Sequence, residues 1–102
     1  MSKVPKSKKD PRAEKEPKAK NFRANVFISL KPTVNDPEGT TISSALGSLG
    51  FEGVSGVRAG RYFQLSLQAL DAKKAGKQVD QMCARLLANP VIETYRFDVS
   101  EA

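Results

Sequence analysis

Few side chains in this chain are equipped for chemistry. Histidine and tryptophan are absent, and cysteine occurs once, at Cys83. Without histidine there is no Ser/His/Asp or Cys/His relay. Without histidine or a CxxC pair there is no zinc-type ligand set. Cys83 would need another base to act as a nucleophile; lying between Met82 and Leu86 on an apolar helical stripe, it reads as a small core residue. The carboxylates are scattered and form no evident acid/base pair. Ala59-Gly60-Arg61 leads into a strand, not a helix, so it is no phosphate cradle. What remains is surface suited to recognition. Arg58, Arg61 and Tyr62 flank a tight turn, Arg96 follows Tyr95, and Phe27 is a large apolar group on the wet side of a strand. Arg and Tyr are frequent anchors at protein interfaces, so Phe27, Arg58, Arg61, Tyr62 and Arg96 are the candidate contact residues.

The elements that must position them follow from periodicity. Val57–Leu67 predicts two short strands joined at Gly60-Arg61, with Gly60 supplying the positive φ that a two-residue hairpin needs. Upstream, Phe22–Leu30 predicts a strand, with Phe22, Ala24, Val26, Ile28 and Leu30 on one face. Asp36-Pro37-Glu38-Gly39 predicts a helix start, with Asp36 as cap and Pro37 at the first position. Ile42, Ala45, Leu46 and Leu49 then recur at helical spacing until Gly50 ends the helix. Val54–Ala59 and Tyr62–Ala69 are the second and third expected strands. Asp71–Asn89 is the second expected helix, with a stripe of Val79, Met82, Cys83 and Leu86, stopped by Pro90. Val91–Val99 is the last expected strand. Its Glu93 falls on the apolar face and has to reach solvent or a partner. The order β-α-β-β-α-β predicts a ferredoxin-like α+β domain: a four-stranded antiparallel sheet, first and third strands central, two helices on one face. The other face, with Phe27, Tyr62 and Ile92, is left for another protein surface.

At 102 residues the chain is expected to form one domain, too small to enclose a conventional catalytic cleft. The net charge of +6 suggests a nucleic-acid or membrane partner until it is divided along the chain. Residues 1–21 hold Lys3, Lys6, Lys8, Lys9, Arg12, Lys15, Lys18 and Lys20 against Asp10, Glu14 and Glu16, whereas residues 22–102 nearly balance. The 1–21 segment, with three prolines and little apolar content, is expected to be a disordered basic tail. It has no aromatics for base stacking. The third strand also lacks the aromatic signature of RNA-binding sheets of this topology. No apolar run is long enough for a membrane span or a signal-peptide core, and one unpaired cysteine suits a reducing cytoplasm.

Several motifs in sequence order resemble the PurS family. They are Ser29-Leu30-Lys31; Asp36-Pro37-Glu38-Gly39 with Ile42; Ala45-Leu46 with Leu49-Gly50-Phe51; Val57-Arg58-Ala59-Gly60-Arg61 with Leu65; and Cys83 with Leu86-Leu87-Ala88-Asn89-Pro90-Val91-Ile92-Glu93 and Tyr95-Arg96. The resemblance runs from Phe22 to about Val99 and does not include the tail. It implies the small subunit of phosphoribosylformylglycinamidine synthase in purine biosynthesis, a homodimer or dimer of dimers that bridges a glutaminase subunit and a large ATP-dependent synthetase subunit and helps ammonia pass between them. It further implies a complex that uses ATP, magnesium and glutamine, with none of them bound by this chain. Two other readings of the residues stay open: a nucleic-acid or ribosome-associated module using the basic tail, and a regulatory module that binds amino acids between paired domains.

Overall fold

The first period-two run is the axis of the molecule. In the computed structural model, which describes residues 18–102, it forms β1, Lys20–Leu30, and its even-numbered residues Phe22, Ala24, Val26 and Ile28 are buried. β1 is the central strand of a three-stranded sheet, between β2, Gly60–Ala69, and β3, Glu93–Glu101, and both pairings are antiparallel. Phe27 stands opposite Tyr62 on one side and Arg96 on the other; Val26 stands opposite Phe63 and Phe97. Successive rungs therefore alternate between an apolar and a polar face. The expected basic tail lies outside the described residues up to residue 17, and Lys20 and Asn21 belong to β1.

One face of the sheet is covered by α2, Ala72–Met82, whose N-cap Asp71 accepts from the Lys74 amide at 2.8 Å. Val79 and Cys83 pack with Ala24, Val26, Ile28 and Ala88, and Ala75 packs with Phe22 and Ala69. The helix does not run on in α form to Asn89 as expected. Cys83–Leu87 is a π-helical turn, closed by the Ala88 amide on the Cys83 carbonyl at 3.0 Å. The wider turn shifts the phase of the stripe: Leu87 packs against the core and Leu86 is 83% exposed. Asn89 then organises a tight turn, its side chain accepting from the Val91 amide at 3.0 Å and its carbonyl from those of Ile92 and Glu93. β3 consequently starts at Glu93, two residues later than Val91.

The expected fourth strand is absent. Val54–Ala59 is irregular, and there is no two-residue hairpin at Gly60-Arg61. Its backbone is held elsewhere: the Ala59 amide donates to the Asp36 carboxylate at 2.7 Å, and the Val57 carbonyl lies against Gly39. With that edge missing, β1 alone is central and the segment before β2 is tied to the start of a helix.

That helix, α1, Pro37–Ser48, has the expected cap, with Asp36 accepting from the Gly39 amide at 2.9 Å and Pro37 in the first turn. It ends where expected, with Gly50 at φ 100° and paired bonds from Gly50 to Gly47 and from Phe51 to Leu46. It does not lie on the sheet beside α2. Gly39 is its buried residue, while Ile42 is 38% and the following Leu49 73% exposed. The apolar stripe read as core therefore has no cover from its own sheet.

Candidate functional site

The open face of the sheet is organised around a single rung. Tyr62, Phe27 and Arg96 stand side by side across the three strands. The Phe27 and Tyr62 rings lie 5.1 Å apart, and the Arg96 guanidinium sits 4.1 Å from the Phe27 ring centre. Phe27 is thus sheltered between an aromatic ring and a cation, an attractive arrangement on both sides. The next rung holds Asn25, a residue that sequence reasoning passed over. Its amide donates to Asp98 at 2.9 Å and its oxygen accepts from the Tyr62 hydroxyl at 2.7 Å. Strand alternation was the available signal, since Asn25 shares the face of Phe27 at every second position. The face is pre-ordered and carries an aromatic, a cation and an amide hub, which suits recognition of a protein surface.

Arg61 is not part of that face. It occupies the helix side of β2, where one guanidinium nitrogen donates to Glu93 at 2.7 Å and to the Leu87 carbonyl at 3.1 Å. Glu93 also accepts from the Asn89 amide at 2.7 Å. This backbone bond, followed by the Arg61 contacts, holds the Glu93 carboxyl below its usual range despite the opposing effect of desolvation. The partner that Glu93 required on the apolar face is therefore Arg61, and the pair fastens the end of the π turn to β2. Arg58 lies in the irregular segment and donates to the Lys31 carbonyl at 2.9 Å. The five expected contact residues consequently divide into one cluster, Phe27, Tyr62 and Arg96, and two arginines that bind carbonyls of their own chain.

Asp36 does more than cap α1. One carboxylate oxygen takes the Gly39 amide and the other takes the Ala59 amide, so a single side chain joins the helix start to the entry of β2. The Gly39 and then the Ala59 bonds hold its carboxyl below the ordinary value, with Arg58 adding to them against desolvation.

Cys83 is buried, and desolvation first, then the Asp80 charge, raises its thiol pKa. Both effects suppress the thiolate that a nucleophile needs. Tyr95 donates its hydroxyl to Asp80 at 2.7 Å, which with desolvation pushes its pKa up to about 12. Among the described residues there is no cluster of three or more His, Cys, Asp or Glu side chains placed to hold a metal ion. No described helix is long and apolar enough to cross a membrane.

Comparison with known proteins gives a consistent result. The family model PurS, described as phosphoribosylformylglycinamidine (FGAM) synthase, matches residues 23–101. A phosphoribosylformylglycinamidine synthase subunit PurS from a Synechocystis species is 45% identical over 80 residues, covering 78% of this chain and 80% of that protein. The crystal structure of Methanocaldococcus jannaschii PurS, a subunit of formylglycinamide ribonucleotide amidotransferase in the purine biosynthetic pathway, superposes with a TM-score of 0.72. It is 38% identical and covers 79% of this chain and 98% of that one. A chain of the PurLQS structure from Thermotoga maritima superposes with a TM-score of 0.71 at 32% identity, covering 80% and 98%.

Proposed function

This chain belongs to the PurS family of FGAM synthase, and from that premise we propose that it joins the glutaminase and the ATP-dependent synthetase of that enzyme without catalysing a step itself. It is the PurS subunit of a glutamine-dependent ligase of purine biosynthesis. The observation that carries the assembly role is the likeness over nearly the whole described domain to a chain solved within PurLQS. The partners are accordingly a PurL-like synthetase subunit and a PurQ-like glutaminase subunit. Glutamine, ATP and magnesium are handled by those partners, in the cytoplasm; this chain contributes surface and helps form the path for ammonia.

The geometry agrees with that division of labour. The one thiol is held protonated in the core, and the charged side chains near it serve structure. The Tyr62-Phe27-Arg96 rung is the surface we assign to a partner subunit. Two copies of the chain associate, which gives a use to apolar side chains at Ile42, Leu49, Phe51 and Leu86 that the single copy leaves exposed.

Reconstitution tests the reading. FGAM formation from glutamine should require the glutaminase, the synthetase and this chain together, and omitting this chain should cost far less when free ammonia is supplied. The isolated chain should show neither glutaminase nor ATPase activity. Glutamine hydrolysis by the homogeneous chain, or full glutamine-dependent synthesis without it, would overturn the proposal.

A further inference from the structure

We propose that the outward face of α2 and of the π turn after it, with Lys73, Lys74, Lys77 and Arg85, binds the phosphate backbone of nucleic acid without selecting a sequence, and that the basic 1–17 segment extends this contact. This activity is separate from subunit bridging and does not rest on it.

The folded part of the chain is nearly neutral, but its charge is not evenly spread. Residues 22–102 hold nine Lys/Arg, and four of them stand exposed on this one face. Lys73 and Lys77 lie one helical turn apart, as do Lys74 and Gln78; Gln78, Gln81 and Arg85 border one shallow recess. Among the described residues none of the four cations is held in an ion pair. The two carboxylates of the same segment have other tasks. Asp71 accepts from the Lys74 amide as the helix cap, and Asp80 accepts from Tyr95 of β3. What α2 presents outward is therefore a run of cations and side-chain amides. From Lys73 to Arg85 it spans roughly 18 Å, over which one strand of a duplex offers about five phosphates.

The make-up of the face favours nucleic acid over a protein or a lipid surface. Between Lys73 and Arg85 no large apolar side chain is exposed, Met82 being half-buried. The face thus has no anchor for the apolar centre of a protein interface or for insertion among lipid chains. Three of its four cations are lysine, a residue depleted at protein interfaces, whereas nucleic-acid interfaces are polar and strongly positive. The start of the chain adds to the same end of the molecule. Lys20, the first residue of β1, stands opposite Ala69, and Ala75 packs on Phe22 and Ala69, so the first turn of α2 lies over the start of β1. Residues 1–17, with six Lys/Arg against three carboxylates, join the domain there. Neither the face nor that segment carries an aromatic ring to stack on a base, so the contact is with backbone and independent of sequence.

Salt dependence tests this in the full chain. Labelled RNA and DNA duplexes of about 20 base pairs and unrelated sequences should bind with closely similar affinities in fluorescence anisotropy, weakening steeply between about 50 and 200 mM salt. The Lys73→Gln/Lys74→Gln/Lys77→Gln/Arg85→Gln variant should keep the wild-type melting temperature, because these side chains make no ion pair and glutamine is a comparable helix former. It should bind at least about tenfold more weakly at the lower salt, and its log–log salt slope should be shallower by about 3 to 4, the change for four lost phosphate contacts. Lys73→Arg/Lys74→Arg/Lys77→Arg should retain the wild-type slope, and Lys6→Gln/Lys8→Gln/Lys9→Gln should flatten it by about 2 to 3. A quadruple variant with the wild-type slope overturns the α2 site and leaves any binding to the 1–17 segment. A wild-type chain that binds no duplex at the lower salt, or that binds phosphatidylserine vesicles more tightly than duplexes, overturns the nucleic-acid assignment.

Discussion

A single methyl group tests how tightly β1 and β2 are joined. Gly60 does not have the positive φ expected of a tight turn; among the described glycines that conformation belongs to Gly50. Its requirement is space, since a Cβ at Gly60 would stand 2.5 Å from the Ile28 carbonyl oxygen. Gly60→Ala should therefore cost about 1–3 kcal/mol in urea unfolding, through forced separation of the strands. Titration gives a second test at this scale. Asp36 and Glu93 have folded-state pKa values below their ordinary 3.8 and 4.5. Their contribution is complete above those values and is lost as pH falls beneath them. Thermal stability should hold down to about pH 4.5 and then decline. Tyr95 is displaced the other way, from 10.0 to about 12, so its contribution is whole below pH 10 and disappears as pH rises toward 12. The Cys83 thiol, raised above 9.0, adds to that alkaline decline. In a Cys83→Ala background, Tyr95→Phe should flatten the alkaline limb and leave the acid limb unchanged. A limb of equal slope in both proteins would refute the Tyr95–Asp80 assignment.

At the level of elements, the lesson concerns which signals are local. β1, β2, β3 and both helix starts were legible because alternation, Asp-Pro and Asp71 act within a few residues. The fate of Val54–Ala59 was not, because Asp36 takes the Ala59 amide from across the sequence and nothing in VSGVRA announces it. The π turn was equally hidden: Val79, Cys83 and Leu86 satisfy a regular helix, and only packing shows that Leu87 takes the inner place. Nor was the candidate site legible as a cluster. Strand parity already separates Phe27, Tyr62 and Arg96 from Arg61, but it gives no sign that Arg61 is consumed by Glu93 and Leu87. A double-mutant cycle of Arg61→Ala and Glu93→Ala should show coupling of about 0.5–1 kcal/mol, the range for a half-exposed pair. Salt should reduce it only partly, because the Asn89 amide holds Glu93 in place. Additive losses would mean that the π turn is fastened by other contacts.

For the whole molecule the question is how a chain with two differently used sheet surfaces serves one assembly. The helix-covered face holds the core, and the open face is given above to a partner subunit. Tyr62→Ala combined with Arg96→Ala removes both flanks of Phe27 while leaving α2 and the core intact. The double variant should stay folded and should bind the synthetase or glutaminase subunit about tenfold more weakly or worse, the loss expected when two interface anchors are truncated. Glutamine-dependent synthesis should fall further than ammonia-dependent synthesis. Unchanged assembly, measured by titration with each partner subunit, would return the rung to an ordinary solvated face.

The position of β1 also dictates an order of events when the protein is made. It is the first described strand to be synthesised, yet both of its neighbours come later, and the register joins Phe22 to Glu101. The Ala102 amide closes on the Asn21 carbonyl at 2.9 Å, and Lys20 lies 3.5 Å from Glu101. A nascent chain therefore holds its most apolar strand unpaired on one side until β3 has left the ribosome. Closure through contacts so distant in sequence is slow relative to local helix formation, and the waiting strand is the part of the chain most open to capture by a chaperone or by another nascent copy.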